Sequence, residues 1–370
     1  MHVVIVPDKF KGTLTAKQAA QAIWRGWKRA RPDDTVDMLP MSDGGDGFGN
    51  VMSSFLGAKV RRVKTVDAAH RPCHARWWWD AHTSTAIIES AQVIGLAMLP
   101  AGRFHPFELD TMGLARVLAA AGQLGPSRCL IGIGGSATND GGFGLARALG
   151  WRFLTQRGDE VHVWPNLASC CEIIPPSHNP KLGRLVAALD VQNPLLGPEG
   201  CTRIYGPQKG VQPRDLARAE ASLSKLSQLM NRQHCKSFAT VAGSGAAGGL
   251  GFGLMAFLDA EPVMGFSLFA QEAELRRRVR DAELVITGEG CLNQQSLMGK
   301  GVGELVAFCA GLRIPCIAMC GKVELSPTIR DCHIGVYSMS TLTEPLQALN
   351  RPAHWLAKVA TKAASDFSVR

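Results

Sequence analysis

The sequence predicts an α/β protein with a parallel sheet and more than one domain. Three observations carry that reading. Short apolar runs alternate with amphipathic helical stretches, several runs end in a glycine-rich loop bearing a carboxylate, and 370 residues exceed one ordinary core.

Residues 2–7 (HVVIVP) read as a buried strand, followed by the loop DKFKGTLTA. Thr15 is an N-cap for a helix over 16–31 that stops at Arg31-Pro32. A second strand, 36–39, runs through the loop Pro40–Gly47 into a helix over 48–56. Then the pattern changes. Strands over 58–65, 73–79 and 86–89 follow without intervening helices, which suggests a differently built region, with antiparallel pairing one option. Trp77-Trp78-Trp79 could stack a base, but a strand burying both faces is the preferred explanation.

Residues 129–150, CLIGIGGSATNDGGFGLARALG, organise the middle of the chain as strand, glycine-rich turn and helix. Glycines admit close backbone approach, and amides at a helix start attract anions. Asp140 adds a carboxylate that could hold a cation. A tight βα turn with no ligand fits the same residues. Beyond it, 155–181 reads as loop with short strands, and 185–191 as a buried strand with Asp190 near its end, where α/β folds bind ligands. A polar helix over 213–233, a second glycine-rich turn into a helix over 241–253, and strands over 282–290, 315–319 and 334–339 complete the chain.

Composition narrows the classes. Hydrophobic residues make up 46% and charged ones 19%, as in soluble globular proteins. No secretory signal is seen, and no stretch offers the ~20 apolar residues of a membrane span. Eleven cysteines lack any Cys-x-x-Cys spacing, which argues against zinc and disulfide frameworks and for a reducing, cytoplasmic setting. The net charge of +9 suits acidic small substrates. Arg276–Arg278, preceded by Glu272 and Glu274 on one predicted helix, reads as a solvated helix end, so no nucleic-acid partner is expected.

Gly243-Ser-Gly245-Ala-Ala-Gly248 matches the dinucleotide fingerprint but lacks the acid expected about 20 residues on. A Walker A loop is absent. Five loops share another grammar, an acid beside glycines at a strand end: Asp8, Asp43–Asp46, Asn139-Asp140, Asp190 and Glu289, with Lys11, Lys209 and Lys300 nearby. Phosphoryl transfer uses those parts.

Long stretches resemble the glycerate kinases of bacterial glycerate and glucarate metabolism. They include Pro7–Thr15, Ser42–Gly47, Glu89-Ser-Ala, Gly132–Gly142, Asp190–Gly200, Gly206–Gly210, Gly243–Gly249, Thr287–Gly290 and Gln295–Lys300. The resemblance implies two α/β domains, one flavodoxin-like with a parallel sheet and one with a smaller mixed sheet, with an active cleft between them. It places residues 1–60 plus 281–370 in the first domain and 61–280 in the second. It implies ATP-dependent phosphorylation of D-glycerate with Mg2+, at position 2 in preference to position 3.

On that resemblance the catalytic candidates are Asp43, Asp190 and Lys300. Lys11, Gly134, Gly135, Ser136, Thr138, Asn139, Lys209, Glu289, Asn293, Gln295 and Ser296 would bind substrate or phosphate. Asp140 and Asp190 would hold the metal. Asp43 or Asp140 could instead cap a helix, and Asp190 could hold a loop amide. A homodimer is compatible with the sequence.

Two departures stand out. Cys291-Leu292-Asn293 replaces the family's Arg-(Ile/Leu)-Asp, and Thr111-Met-Gly113-Leu-Ala115-Arg116 replaces Thr-x-Gly-x-Gly-Glu. Asn293 cannot act as a base. The rival readings are a sensor that binds the acid without turnover, a kinase for a related hydroxy acid, and, third, a hydroxy-acid dehydrogenase.

Overall fold

The computed structural model describes residues 1–293, 296, 301–324 and 335–367. The chain divides into two compact units. One comprises Met1–Asp43, Asn50–Phe55 and Phe266–Arg370; the other comprises Gly44–Gly49 and Leu56–Gly265.

Among the described residues, the first unit holds five strands, all parallel. Their spatial order is Gly335–Ser338, Cys316–Glu324, Leu284–Asn293, His2–Pro7, Thr35–Met38. Numbered along the unit this is 2-1-3-4-5, the flavodoxin order. Both faces are covered, as a parallel sheet requires. Val3, Ile5, Leu284 and Ile286 pack with Ile23, Trp27, Leu356 and Val359 on one side. Val4, Val6 and Val285 pack with Phe269 and Leu305 on the other.

The helix Ala16–Ala30 starts where its capping chemistry places it. Thr15 Oγ1 accepts from the Gln18 amide at 3.2 Å, and the Gln18 side chain accepts from the Thr15 amide at 2.9 Å. The helix crosses Pro352–Asp366 so closely that a Cβ on Gly26 would lie 2.0 Å from the Ala357 carbonyl oxygen.

The second unit holds a mixed sheet in the order Glu261–Met264, Arg184–Leu189, Arg128–Gly132, Thr85–Glu89, Pro72–Asp80, Lys59–Val66. The first four strands are mutually parallel and the last two pair antiparallel. With six described strands against five, it is not the smaller sheet that the resemblance implied. The two hairpin-linked strands at one edge, 59–66 and 72–80, enlarge it. Trp77 and Trp78 are both buried, and the Trp78 ring occupies the space a Cβ on Gly49 would take, so the tryptophans pack rather than stack a base.

Three local expectations are refined. Residues 155–181 contain the strand Cys170–Ile174, which pairs with Arg152–Thr155, and a short 3-10 turn at Trp164–Ser169. The arginine-bearing helix is two pieces, Gly265–Glu272 and Leu275–Val279, broken at Glu274 with φ +48; its arginines are exposed. Helix Ala246–Leu258 contains a left-handed turn at Ala247, Gly248 and Gly249. Among the described residues no helix is long and apolar enough to cross a membrane.

Candidate functional site

The strand Arg128–Gly132 ends in the loop 133–142, and the helix Phe143–Ala148 follows. Gly135, Gly141 and Gly142 all have positive φ, which is what the run of glycines provides. Neighbouring segments lie against its bare backbone. A Cβ on Gly134 would sit 2.8 Å from Asp190 Oδ2, and one on Gly135 would sit 2.4 Å from Asp46 Oδ1. Gly134 also donates its amide to the Gly44 carbonyl at 3.1 Å. Three chain segments distant in sequence therefore meet here: the end of the strand Arg184–Leu189, the loop 44–49 and the loop 133–142.

Lys209 is the cation of this region. It is buried, and Nζ donates to Ser136 Oγ at 3.0 Å and to the Thr138 carbonyl at 2.7 Å. Burial lowers it to about 8, while Cys201, Asp190 and Asp140 favour its charged form. Thr138 and Asn139 are fully buried beside it. Asn139 Nδ2 donates to Thr202 Oγ1 at 2.9 Å, but Asn139 Oδ1 and Thr138 Oγ1 have no hydrogen-bond partner. Buried polar atoms left so are costly.

Asp140 sits differently from what its position in the motif suggests. Its carboxylate accepts from the Thr111 amide (3.0 Å), Thr111 Oγ1 (2.8 Å), the Gly144 amide (2.9 Å) and the Gly142 amide (3.3 Å). Burial, then the Asp110 charge, push it up to about 6 against those bonds. The helix start expected to attract a ligand anion is thus filled by the chain's own carboxylate, as a cap. The start of the helix Phe48–Leu56 is filled likewise: Glu89 accepts from the Gly47 and Gly49 amides.

The Gly243–Gly249 stretch finds its explanation here as well. A Cβ on Gly248 would lie 1.9 Å from the Thr138 carbonyl oxygen, and Gly141 donates its amide to the Gly248 carbonyl at 3.1 Å. These glycines let one loop pack on another. The loop after Asp190 is pinned by Tyr205, whose hydroxyl donates to Asn193 Oδ1 at 2.6 Å.

The remaining candidates lie in the first unit. Asp8, just past the strand His2–Pro7, lies near Asp43 and near Glu289 of the strand Leu284–Asn293, with Lys9 Nζ 3.3 Å from Asp43 Oδ1. Burial, with Asp43 and then Glu289 adding to it, pushes Asp8 up to about 7, while Lys9 pulls the other way. Lys11 is exposed, its amide nitrogen beside the bare face of Gly290. Asn293 Oδ1 accepts from the Ser296 amide at 3.1 Å and from Ser296 Oγ at 3.2 Å, a closed local turn. Cys291 Sγ donates to Glu324. Gln295 and Lys300 lie outside the described residues. Asp43, Glu289, Asn293, Ser296 and Lys11 thus belong to one unit; Gly134, Gly135, Ser136, Thr138, Asn139, Asp140, Asp190 and Lys209 belong to the other.

The candidate set omitted Asp46, Glu89, Thr111 and Thr202. Glu89 left one sequence signal, a carboxylate ending the otherwise apolar run AIIE.

With the geometry in place, comparison with known proteins gives the class. The family model described as Glycerate kinase family matches residues 3–368, and with the two α/β units it defines a phosphotransferase of the kind that uses an alcohol as acceptor. A glycerate kinase from Halalkalibacterium halodurans is 35% identical over 87% of this chain and 85% of its own. A glycerate 2-kinase from Escherichia coli K12 is 35% identical over 81% and 80%. A crystal structure from Salmonella typhimurium LT2, given as a candidate glycerate kinase 2, superposes with a TM-score of 0.80 at 29% identity, covering 99% of this chain and 97% of that one. The chain belongs to the glycerate kinase family.

Proposed function

We propose that this protein transfers the γ-phosphoryl group of ATP to a hydroxyl of D-glycerate, with the 2-hydroxyl as acceptor and 2-phosphoglycerate as product. The observation that carries the reading is Lys209, a buried ammonium fixed to the glycine-rich loop through Ser136 and Thr138. A buried cation held at Ser136 and the Thr138 carbonyl suits a small carboxylate or phosphate. The preference for position 2 leans on the name of the Escherichia coli relative.

In this reading Gly134, Gly135, Ser136, Thr138 and Asn139 line the anion site and Lys209 neutralises it. Asp190, against Gly134, takes the hydroxyl proton as the new P–O bond forms and the bond to ADP breaks. Asp140 holds the loop. Glu289, Asn293, Ser296, Gln295, Lys11 and Lys300 stay as further contacts to substrate or phosphate.

Among the described residues no group of three or more His, Cys, Asp or Glu side chains is placed to hold a metal by itself. That fits magnesium, which commonly binds through one or two carboxylates plus substrate phosphates. Asp43 is the candidate carboxylate, gathered with Asp8 and Glu289; burial first, and then the Asp43 charge, raise Asp8. The ion would supply charge neutralisation on the phosphates. A cytoplasmic setting suits the ten described cysteines, all free thiols.

The test is ADP release over a panel of small hydroxy acids, with the phosphorylated position read by NMR. Glycerate-dependent release yielding 2-phosphoglycerate supports the reading. Binding of glycerate or ATP without turnover would instead mark a sensor, for which Cys291 and Asn293 are the departures to examine.

A further inference from the structure

Glu89 is a buried carboxylate that the proposed reaction does not use. It ends the strand Thr85–Glu89 with only 3% of its surface exposed. Its Oε1 accepts from the Gly47 amide at 3.1 Å and its Oε2 from the Gly49 amide at 2.9 Å. Gln92 Nε2 donates to Oε1 at 3.1 Å. Both carboxylate oxygens are thereby committed to a loop whose Gly44 and Gly47 are left-handed, at φ +97 and +91. Asp46 stands between the held amides and the Gly44 carbonyl bonded to Gly134, with its Oδ1 against Gly135. Asp190 lies against the preceding glycine, so the loop conformation sets where Asp46 stands relative to Asp190.

We propose that Glu89 is a positioning residue: it clamps the loop 44–49 and so fixes Asp46 against Gly135, the residue after the Gly134 on which the proton-accepting Asp190 lies. The inference rests on the kinase reading for its activity readout. Charge-assisted bonds to two amides two residues apart are strong, and an amide side chain in the same place offers one acceptor where two are needed. The partners of the Glu89 carboxylate are the Gly47 and Gly49 amides and Gln92.

The test is a double-mutant cycle on glycerate-dependent ADP release with Glu89→Gln and Asp46→Asn. Each single variant should lose about tenfold or more in kcat/KM, and the double should fall no more than about twofold below the poorer single. Multiplicative losses would overturn the proposal, as would a Glu89→Gln enzyme within about twofold of wild type. Circular dichroism checks folding. If Glu89→Gln does not fold, Glu89→Asp, which keeps the charge but is one methylene too short to hold both amides, takes its place in the cycle and is read by the same additivity.

Hydrogen exchange of the Gly47 and Gly49 amides separates this proposal from the kinase reading. It should quicken about tenfold or more in the Glu89 variant whatever substrate the enzyme takes. Unchanged exchange overturns the clamp with the kinase reading intact; a wild-type protein without glycerate-dependent turnover, but with quickened exchange in the variant, overturns only the kinase reading.

Discussion

Gly248 presses its backbone onto the Thr138 carbonyl so closely that a Cβ would lie 1.9 Å from the oxygen. That contact seats the helix Ala246–Leu258 on the loop carrying Ser136, Thr138 and Asn139. Gly248→Ala should therefore cost about 2 kcal/mol or more in urea unfolding, because the residue also has φ +68. Gly311, inside the helix Gly301–Leu312 with open space around it, is the control; Gly311→Ala should gain up to ~1 kcal/mol.

Lys209 predicts a pH profile. Burial lowers its value to about 8, so the ammonium that attracts the acid is lost well below the range of an ordinary lysine. kcat/KM for glycerate should fall as pH rises through about 8. Lys209→Met should abolish that limb and raise KM by ~10-fold or more. Stability should move the other way. Between about 8 and 10.5 the unfolded chain binds the extra proton, so Lys209 makes the fold more stable as pH rises across that window.

Asp140 predicts a stability profile of the opposite sign. Its folded value is raised from 3.8 to about 6, so the folded protein binds the extra proton in that window and its stability declines as pH rises from about 4 to about 6. Asp140→Asn should remove that slope in thermal melts. It should also cost ~1–3 kcal/mol, since the new NH2 group faces amide donors at Thr111 or Gly144.

Asp190→Asn should lower kcat by ~10²-fold or more while the fold is kept, if it takes the hydroxyl proton. Stopped-time ADP assays under saturating glycerate check it; a variant within a few fold of wild type removes Asp190 from that role.

How much of this could be read in the chain depended on how local the cause was. The starts of helices at Ala16, Phe48 and Phe143 were legible because capping and turn chemistry act within a few residues. The strand order was not, because pairing His2–Pro7 with Leu284–Asn293 joins segments some 280 residues apart. The helix break at Glu274 carries no glycine or proline to mark it. In the site, Lys209 and the 133–142 loop were visible from residue type and spacing. The occupation of Asp140 by Thr111 was not, since the motif alone shows a carboxylate beside glycines and says nothing of what it meets.

Internal carboxylates at both helix starts, Glu89 at one and Asp140 at the other, have a consequence for how the enzyme handles an empty site. The tight turns around Gly47 and Gly142 are satisfied by permanent parts of the chain, so they do not wait for an incoming anion to set their shape. Less of the intrinsic binding energy is then diverted to ordering backbone, and more is left to favour the strained geometry of the transferring group.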